Sequence, residues 1–394
     1  MSIHQIDFCF GDSLNINSPG FIYSYKHNER VKIMEKKVLV ISFDGVSDKV
    51  FERMANDPLT YPTIAMFKRD SAYTGAVKTT FVSNTYPVHT SVSTGLFPKD
   101  HQIISNYRKP RAWAQRSKLI KAKTLWDAAR EKGLKTAAIL WPVTVGAKIT
   151  WNLPELHIHN LLGGSILFQA KAILRHGGKL EGRLAPHLDN FTTHVACDVL
   201  REKKPHLTFK HLVAYDSICH FSGAEGEEIK IAQKSLDDNL GKLLEAAPDN
   251  TTVIVLSDHG HLPVQETINL ANHYGEYVVE QCGGSAFLRK EAAQMGSIQK
   301  HPWFGRYLTT KEMDESGYRH KADFGIAAKV GFCFCDSGLT YKSNHGYPTD
   351  YKDFRVFYAV RGKHHKPGES YTSGDIRDVT SIIAKELRLT LCYL

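Results

Sequence analysis

The chain has 394 residues, 42% of them hydrophobic, which is enough for one large domain or two ordinary ones with a sizeable core. Its formal net charge of +9 favours anionic partners, but Lys and Arg are dispersed along the chain, which favours a small anionic substrate over nucleic acid. The seven cysteines are odd in number and unevenly spaced, which argues against a disulfide framework. No stretch approaches the about 20 apolar residues that span a membrane, and no signal-peptide pattern is present. We therefore expect a cytoplasmic protein without a membrane partner.

The first 33 residues differ from those that follow. They mix isolated aromatics with Asn, Ser and Gly and show neither helical nor strand periodicity, whereas Met34 leads directly into an apolar strand. Glu29 and Arg30 can be encoded by a purine-rich run at a ribosome-binding distance from the Met34 codon. We expect residues 1–33 to be a disordered or non-native extension, with Met34 rather than Met1 as the natural start, and residues 34–394 to form the folded domain.

From residue 34 onward, apolar strand runs alternate with helical patterns. The predicted strands, in chain order, cover residues 38–43, 135–141, 207–215 and 253–257, and the predicted helices cover residues 124–132 and 234–247. This alternation is typical of an α/β protein with a mostly parallel central sheet and helices on both faces. Residues 262–340 are less regular, and we expect them to form a cap insertion over the site.

Acidic residues follow three of the predicted strands. Each would leave a buried strand at its carboxyl end, where open α/β sheets place their ligands. Histidines stand near these acids, and a threonine lies between the first two. The set consists of Asp44, Thr85, Asp216, His220, Asp258, His259 and His345. Carboxylates and imidazoles in such a set can hold two divalent metal ions.

Taken singly, the members of this set also have simpler interpretations. Asp216 and His220 are four residues apart, so one helical turn brings them onto one face, but they could equally form a surface hydrogen bond. Asp258 and His259 could form a plain turn after their strand. His345 has no acidic neighbour in the sequence and by itself would be a weak ligand candidate.

Five segments together resemble a known family. They are, in order, VLVISFDGV, TYPVHTSVSTGLFPKDHQIISN, YDSICHFSG, VLSDHGH and SNHGYPTDY. They resemble the motifs of the nucleotide pyrophosphatase/phosphodiesterase family of the alkaline phosphatase superfamily, and the resemblance covers nearly all of residues 37–390. It implies an alkaline-phosphatase-like fold and a hydrolase acting on phosphate diesters or nucleotide pyrophosphates.

The resemblance also implies how the ligands divide between two metal ions, with Zn²⁺ as the expected metal. One ion would be held by the counterparts of Asp44, Thr85, Asp258 and His259. The other would be held by the counterparts of Asp216, His220 and His345. All seven positions are filled in this chain.

Thr85 is the expected nucleophile. A free threonine hydroxyl is a poor nucleophile at neutral pH, and metal coordination lets it act as the alkoxide. Tyr86 and Pro87 can open a helix, so we expect Thr85 at the N-cap, where the helix dipole favours developing negative charge. On local sequence alone an ordinary capping threonine would be the commoner case.

Asn106 is the expected donor to a non-bridging phosphate oxygen. It lies 21 residues after Thr85, the spacing at which the phosphodiesterase branch carries such an asparagine. A neutral amide suits a diester with one negative charge better than a monoester with two, so we expect diesters to be preferred. The alternative is a turn-forming Asn before Tyr107. His89 is interpreted as structural support in the nucleophile helix, while His101 and His261 remain unassigned.

Two departures bear on the substrate. The family pattern has Pro-Asn-His after the nucleophile, whereas this chain has Val88 in place of that Asn. Threonine at position 85 argues against sulfatases and against alkaline phosphatases proper, but phosphonoacetate hydrolases also use threonine. A C–P hydrolase or a phosphomonoesterase of the same superfamily therefore stays an alternative, as does a non-catalytic phosphate-ligand-binding protein. The substrate itself and the oligomeric state cannot be read from the sequence.

Overall fold

The computed structural model of the chain describes residues 36–109, 112–155, 165–179, 186–336, 338–351, 354–371 and 374–391. The prediction about residues 1–33 lies outside this range. The strands are β1 Lys37–Phe43, β2 Ala72–Val77, β3 Tyr107–Lys109, β4 Ala112–Trp113, β5 Thr136–Ile139, β6 Trp151–Leu153, β7 Leu207–Leu212, β8 Thr251–Leu256, β9 Leu262–Ile268, β10 Val278–Gln281, β11 Ser285–Leu288, β12 Phe304–Tyr307, β13 Phe324–Ala328, β14 Gly331–Phe334, β15 Ser343–Asn344 and β16 Val356–Arg361. The α-helices are α1 Asp48–Ala55, α2 Pro62–Arg69, α3 Thr85–Thr94, α4 Pro98–His101, α5 Leu125–Glu131, α6 Ile166–His176, α7 His187–Asp198, α8 Ala214–Ser222, α9 Glu227–Ala246, α10 Ala271–Tyr274, α11 Thr310–Glu315 and α12 Asp378–Leu387.

A seven-stranded sheet forms the centre of the domain, with the strand order β2-β16-β8-β1-β7-β5-β6. The five strands from β8 to β6 pair in parallel, and β16 runs antiparallel to both of its neighbours. The strands β8, β1 and β7 are therefore adjacent and end at the same edge of the sheet. The predicted α/β architecture with a mostly parallel sheet is confirmed.

Both faces of this sheet are covered, because alternate residues of each strand point to opposite sides. Leu39 and Ile41 of β1 belong to one hydrophobic cluster, which includes residues of α1, α2, α7 and α9. Val38 and Val40 belong to a second cluster, which includes residues of α3, α5 and α12. The continuous apolar run of β1 is thus explained by burial on both faces. Among the described helices, none is long and apolar enough to cross a membrane.

The stretch that the sequence presents as irregular contains most of two smaller sheets. The strands β10, β11, β13 and β12 form an antiparallel sheet in that order, and β14, β9 and β15 form a three-stranded sheet. A separate hydrophobic cluster that includes Trp303, Phe334 and Tyr347 packs between elements of this region. Short strands interrupted by glycines lack a long hydrophobic period, which is why the sequence pattern did not reveal them.

Three predicted boundaries are wrong. The strand predicted over residues 207–215 ends at Leu212, so Asp216 does not end a strand but lies in the first turn of α8. The helix predicted over residues 234–247 begins seven residues earlier, at Glu227. Thr85 was expected at the N-cap of its helix, but Asn84 occupies that position with an extended backbone, φ −113° and ψ 153°, and Thr85 is the first helical residue. Pro87 is tolerated at the third helical position because the first N–H groups have no intrahelical partner.

Candidate metal centre

The candidate site lies at the carboxyl ends of three adjacent strands. Asp44 directly follows β1, and Asp258 comes two residues after β8. The helix α8 follows β7 and carries Asp216 in its first turn. The strand order β8-β1-β7 therefore brings together carboxylates that are separated by up to about half of the chain.

The first group of ligand atoms surrounds the Nε2 atom of His259. This nitrogen lies 3.4 Å from Asp44 Oδ1, 3.2 Å from Asp258 Oδ2 and 3.3 Å from Thr85 Oγ1. All four side chains are buried. The other carboxylate oxygens face away from this point: Asp258 Oδ1 accepts from the N–H groups of Gly45 at 3.1 Å and His259 at 2.9 Å. Backbone donors thus orient one oxygen of Asp258 toward the group.

The chemistry of this first group fits a cation. Asp44 Oδ1 and Asp258 Oδ2 are buried and have no hydrogen-bond donor within the described residues. His259 Nδ1 lies 3.3 Å from the Gly260 carbonyl, which can only accept, so a neutral His259 carries its proton there and presents a lone pair at Nε2. Electron-rich atoms of three side chains therefore converge at one point. A divalent ion would satisfy them all.

The pKa shifts of the first group also favour a bound cation. Burial, followed by repulsion from Asp216, raises the pKa of Asp44 well above its usual value. Burial, followed by repulsion from Asp44, does the same to the pKa of Asp258. Burial also holds the pKa of His259 well below its usual value. Without a cation these carboxylates resist ionisation, and a bound divalent charge would favour their ionised forms.

The second group is built around Asp216 Oδ1. This oxygen lies 3.5 Å from His220 Nε2 and 3.9 Å from His345 Nε2. In both histidines the other ring nitrogen, Nδ1, contacts an oxygen. His220 Nδ1 lies 3.2 Å from the Ser343 carbonyl, and His345 Nδ1 lies 2.9 Å from Asn84 Oδ1. A ring whose Nδ1–H donates to such an oxygen directs its Nε2 lone pair into the site, the arrangement typical of metal-binding histidines.

Within the described residues, the structure thus brings together all seven side chains that the sequence singled out as candidate ligands. The ligand atoms of Asp44, Asp258 and His259 lie within 4.8 Å of one another, and so do those of Asp216, His220 and His345. Both groups offer carboxylate oxygens and imidazole nitrogens, a donor set that suits zinc and related ions.

Thr85 opens α3, and its surroundings hold its backbone in place. The His89 ring connects the Thr85 backbone to β1. Its Nδ1 lies 2.8 Å from the Thr85 carbonyl, and its Nε2 lies 2.9 Å from Ser42 Oγ of β1. Burial keeps the pKa of His89 well below its usual value, so the ring is neutral and connects α3 to β1 through hydrogen bonds. Thr85 is buried, with 8% of the residue exposed.

Asn106 lies beside the same helix start. Its Oδ1 accepts from the backbone N–H of Tyr86 at 2.9 Å, and the residue is buried. This bond satisfies one of the first N–H groups of α3, which have no intrahelical partner. With Oδ1 committed, Nδ2 carries the two N–H groups that the side chain can still offer to a ligand.

Two histidines near the ligand groups were missed or left unassigned at the sequence level. His211 on β7 has its Nε2 2.9 Å from Asp44 Oδ2 and its Nδ1 3.2 Å from the Leu140 carbonyl, so it holds Asp44 from behind. His261 Nε2 lies 2.8 Å from Asp216 Oδ1. The position of His211 inside a buried strand was the available signal for it. For His261, the signal was its place two residues after His259.

Comparison with known proteins identifies the family of this chain and supports its fold. The family described as Type I phosphodiesterase / nucleotide pyrophosphatase matches residues 38–310, more than half of the chain. The chain therefore belongs to the type I phosphodiesterase/nucleotide pyrophosphatase family, whose members are hydrolytic enzymes.

Individual relatives are distant. Human ectonucleotide pyrophosphatase/phosphodiesterase family member 1 is 24% identical over 214 residues, which are 50% of this chain and only 21% of that protein. The bis(5'-adenosyl)-triphosphatase ENPP4 of Pongo abelii is 23% identical over 390 residues, covering 90% of this chain and 78% of that protein. Among solved structures, murine ectonucleotide pyrophosphatase/phosphodiesterase 5, as an inactive variant in complex with AMP, superposes with a TM-score of 0.68. That likeness has 20% identity, covers 91% of this chain and 96% of the murine one, and shows a shared fold.

Proposed function

We propose that the protein is a metal-dependent phosphodiesterase or nucleotide pyrophosphatase that uses Thr85 as its nucleophile and two divalent ions, with Zn²⁺ as the expected metal. The observation that carries this proposal is the convergence of Thr85 Oγ1, His259 Nε2 and two buried carboxylate oxygens without a hydrogen-bond donor. A plain structural cluster would satisfy those oxygens with protein N–H or O–H groups.

In this proposal the residues divide between two ions as their positions suggest. Asp44, Thr85, Asp258 and His259 would hold the first, and Asp216, His220 and His345 would hold the second. The ions would supply Lewis-acid polarisation of the phosphate oxygens and would favour the alkoxide form of Thr85.

Thr85 performs the displacement. Its oxygen attacks phosphorus in line with the leaving oxygen, the P–O bond to the leaving group breaks, and a phosphothreonine ester forms. Water then cleaves that ester and restores the hydroxyl. Thr85 lies in the first turn of α3, where the positive end of the helix dipole favours charge on the attacking oxygen and on the phosphate.

Asn106 stabilises a non-bridging oxygen of the transferring group through Nδ2. Its Oδ1 is fixed by the Tyr86 N–H, so the amide is oriented before substrate binds and no reorganisation is needed during the reaction. A neutral donor compensates the charge of a diester better than that of a monoester, which supports diesters or nucleotide pyrophosphates as substrates.

Aromatic rings beside the helix start support a substrate with a flat group. The Trp113 ring lies with its centroid 5.4 Å from Tyr86 and 4.7 Å from Tyr107, and it is 41% exposed. Trp113 and Tyr107 belong to the hairpin β3–β4, which directly follows Asn106. One relative, ENPP4, is named as a bis(5'-adenosyl)-triphosphatase, and another, murine family member 5, is solved with AMP. Both support a nucleotide as that substrate.

The test is a panel of chromogenic esters assayed with zinc and with manganese. It contains a nitrophenyl phosphate diester, the matching monoester, a phosphonate monoester, phosphonoacetate and a sulfate ester. The diester should have the highest kcat/KM. The enzyme would belong among phosphomonoesterases if it hydrolysed the monoester much faster than the diester and lost that preference in Arg108→Ala. Arg130→Ala, an exposed position on α5, is the control and should keep the preference. Release of phosphate from phosphonoacetate would favour the C–P hydrolase alternative, and no turnover of any ester would favour a non-catalytic binding protein.

The cellular location is proposed from the sequence alone. We propose the cytoplasm because the seven cysteines, odd in number and unevenly spaced, do not fit the disulfide framework typical of secreted proteins. Fractionation of the producing cells, with immunodetection of the full chain, tests this directly. Recovery in the membrane or secreted fraction would reject it.

A further inference from the structure

His261 is held in a defined orientation beside the second ligand group. The residue lies directly before β9 and is almost fully buried, with its side chain 2% exposed. Its Nε2 lies 2.8 Å from Asp216 Oδ1, and its Nδ1 lies 3.0 Å from Ser343 Oγ. The ring also occupies the space beside Gly45, where an added Cβ would lie 2.9 Å from His261 and where φ is +75°. The backbone has therefore left room for this ring.

The proton on this ring can be placed from its neighbours. Ser343 Oγ lies 2.6 Å from the carbonyl oxygen of Cys219, and a carbonyl can only accept, so the serine hydroxyl hydrogen points to Cys219. Ser343 Oγ must therefore accept from His261 Nδ1–H. A neutral His261 then has a lone pair on Nε2, and this lone pair faces the carboxylate of Asp216.

Two lone pairs at 2.8 Å repel unless a positive charge lies between or beside them, which is either a proton on Nε2 or a cation bound by both atoms. The surroundings of Asp216 Oδ1 indicate a metal ion as that charge. His220 and His345 also direct Nε2 toward this oxygen, each with its Nδ1 held by a carbonyl-type oxygen. His261 shares this arrangement, with Ser343 Oγ as its acceptor. The ligand atoms of Asp216, His259 and His261 also lie within 4.8 Å of one another.

We propose that His261 is a further ligand of the second metal ion, which is then bound by Asp216, His220, His261 and His345. This rests on the proposed two-metal function and adds a residue to it. With three imidazoles and one carboxylate the second site would have four protein ligands, one more than the three of a usual catalytic zinc site, and zinc can take a fifth ligand during reaction. Loss of His261 should therefore weaken binding of one metal equivalent and leave the other unchanged.

The test begins with the full-length wild-type protein, stripped of metal with a chelator and reloaded with Co²⁺. Each imidazole bound to this paramagnetic ion contributes one strongly shifted, solvent-exchangeable N–H signal in the proton NMR spectrum. We expect four such signals, from His220, His259, His261 and His345. Three signals would overturn the proposal without any variant having to fold.

The second measurement is zinc affinity, determined by competition with a chromophoric chelator. In His261→Gln, one of two equivalents should bind more than about 100-fold more weakly, because loss of a metal ligand should exceed the about 10- to 100-fold cost of losing a residue that only orients a ligand. Glutamine can still donate a hydrogen bond to Asp216, so a change of about 100-fold or less would mean that His261 only orients that carboxylate. Ser343→Ala is the matched control, since it removes the partner of Nδ1 and the bond to the Cys219 carbonyl but leaves the imidazole, and its effect should be smaller than that of His261→Gln.

The outcomes separate this proposal from the proposed function. If the wild-type protein binds two zinc equivalents and His261→Gln binds them with unchanged affinities, only the role of His261 is rejected. Wild-type protein that binds no zinc would reject the two-metal function and this proposal with it.

Discussion

The rings of His259 and His345 stack on each other, with centroids 3.9 Å apart and planes inclined by 22°. His259 belongs to the ligand group around Asp44, and His345 belongs to the group around Asp216. Burial lowers the pKa of both rings, to about 3 for His345, so they can stack in neutral form. The two candidate metal positions are therefore adjacent, as the proposed two-metal centre requires.

Metal removal is the first prediction. Purified protein should contain two zinc equivalents, and a strong chelator should abolish hydrolysis, because the nucleophile and the phosphate both depend on the metals. Removal of the metal should also lower the free energy of unfolding. The decrease should be on the order of 4 kcal/mol if the free metal concentration was a thousand times its Kd. Elemental analysis, activity and thermal unfolding check this together. Full activity in excess chelator would contradict the two-metal assignment.

Thr85→Ala is expected to separate chemistry from folding. The variant should lose turnover by about 10³-fold or more, while its unfolding transition stays cooperative, because only the attacking oxygen and one ligand atom are removed. Thr85→Ser keeps a hydroxyl and should retain measurable activity. Thr94→Ala, on the same helix but at its far end, serves as the control and should leave kcat unchanged. Wild-type turnover in Thr85→Ala would show that the nucleophile is another group.

Asn106 should act through its amide nitrogen. Asn106→Asp keeps an oxygen that can accept from the Tyr86 N–H but removes the Nδ2 donor and adds a negative charge near the phosphate. We expect kcat for a diester to fall by about 10²-fold or more, the usual effect of losing one oxyanion donor. Steady-state kinetics with a nitrophenyl diester measure it. A fall in thermal stability with unchanged kcat would instead indicate that Asn106 only supports the helix start.

Asp189 should stabilise the helix that carries Asp216 and His220. Its carboxylate accepts from the N–H groups of Val213 at 3.0 Å and Ala214 at 2.8 Å, which caps α8 from the neighbouring helix α7. It also offsets the charge of Lys210, which is 0% exposed and whose pKa burial lowers to about 8. Asp189→Ala should lower the free energy of unfolding by about 3 kcal/mol, since it leaves two donors and a buried cation without this partner.

A double-mutant cycle with Lys210→Met isolates the charge pairing between these two residues. The double variant should be less destabilised than the sum of the single variants, because neither charge is then left alone. Urea unfolding of the metal-free proteins provides the free energies. Strict additivity would show that Asp189 acts only as a helix cap.

His101 should make the fold sensitive to acid. Burial lowers its pKa to about 3, and its Nδ1 accepts from the Ile103 N–H at 3.1 Å. The unfolded chain takes up this proton below about pH 6.5, whereas the folded chain does so only near pH 3, so stability falls as the pH drops between these values. The contribution approaches about 1.4 kcal/mol per pH unit. In metal-free His101→Gln, the pH slope of the unfolding free energy between pH 6 and 4 should be smaller by one proton, and an unchanged slope would contradict this.

The sequence by itself determined the family, the parallel α/β architecture and which residues could serve as ligands. The apolar run of β1 is readable because a strand buried on both faces needs continuous hydrophobic residues. Asp44, Asp258 and His259 are readable because they lie within three residues of the ends of such strands. Their proposed roles as ligands stay predictions until metal is measured.

Only the tertiary structure decided what holds those residues in place. His211 reaches Asp44 across the pairing of β1 with β7, and Asn84 reaches His345 across 261 positions of sequence. Such contacts follow from strand order and loop paths, and neither leaves a periodic pattern in the sequence. The same holds for His261, whose orientation depends on the hydroxyl of Ser343, 82 positions away. Local sequence can specify a residue's type and its strand, but the partners that orient its side chain come from elements that meet only when the sheet is assembled.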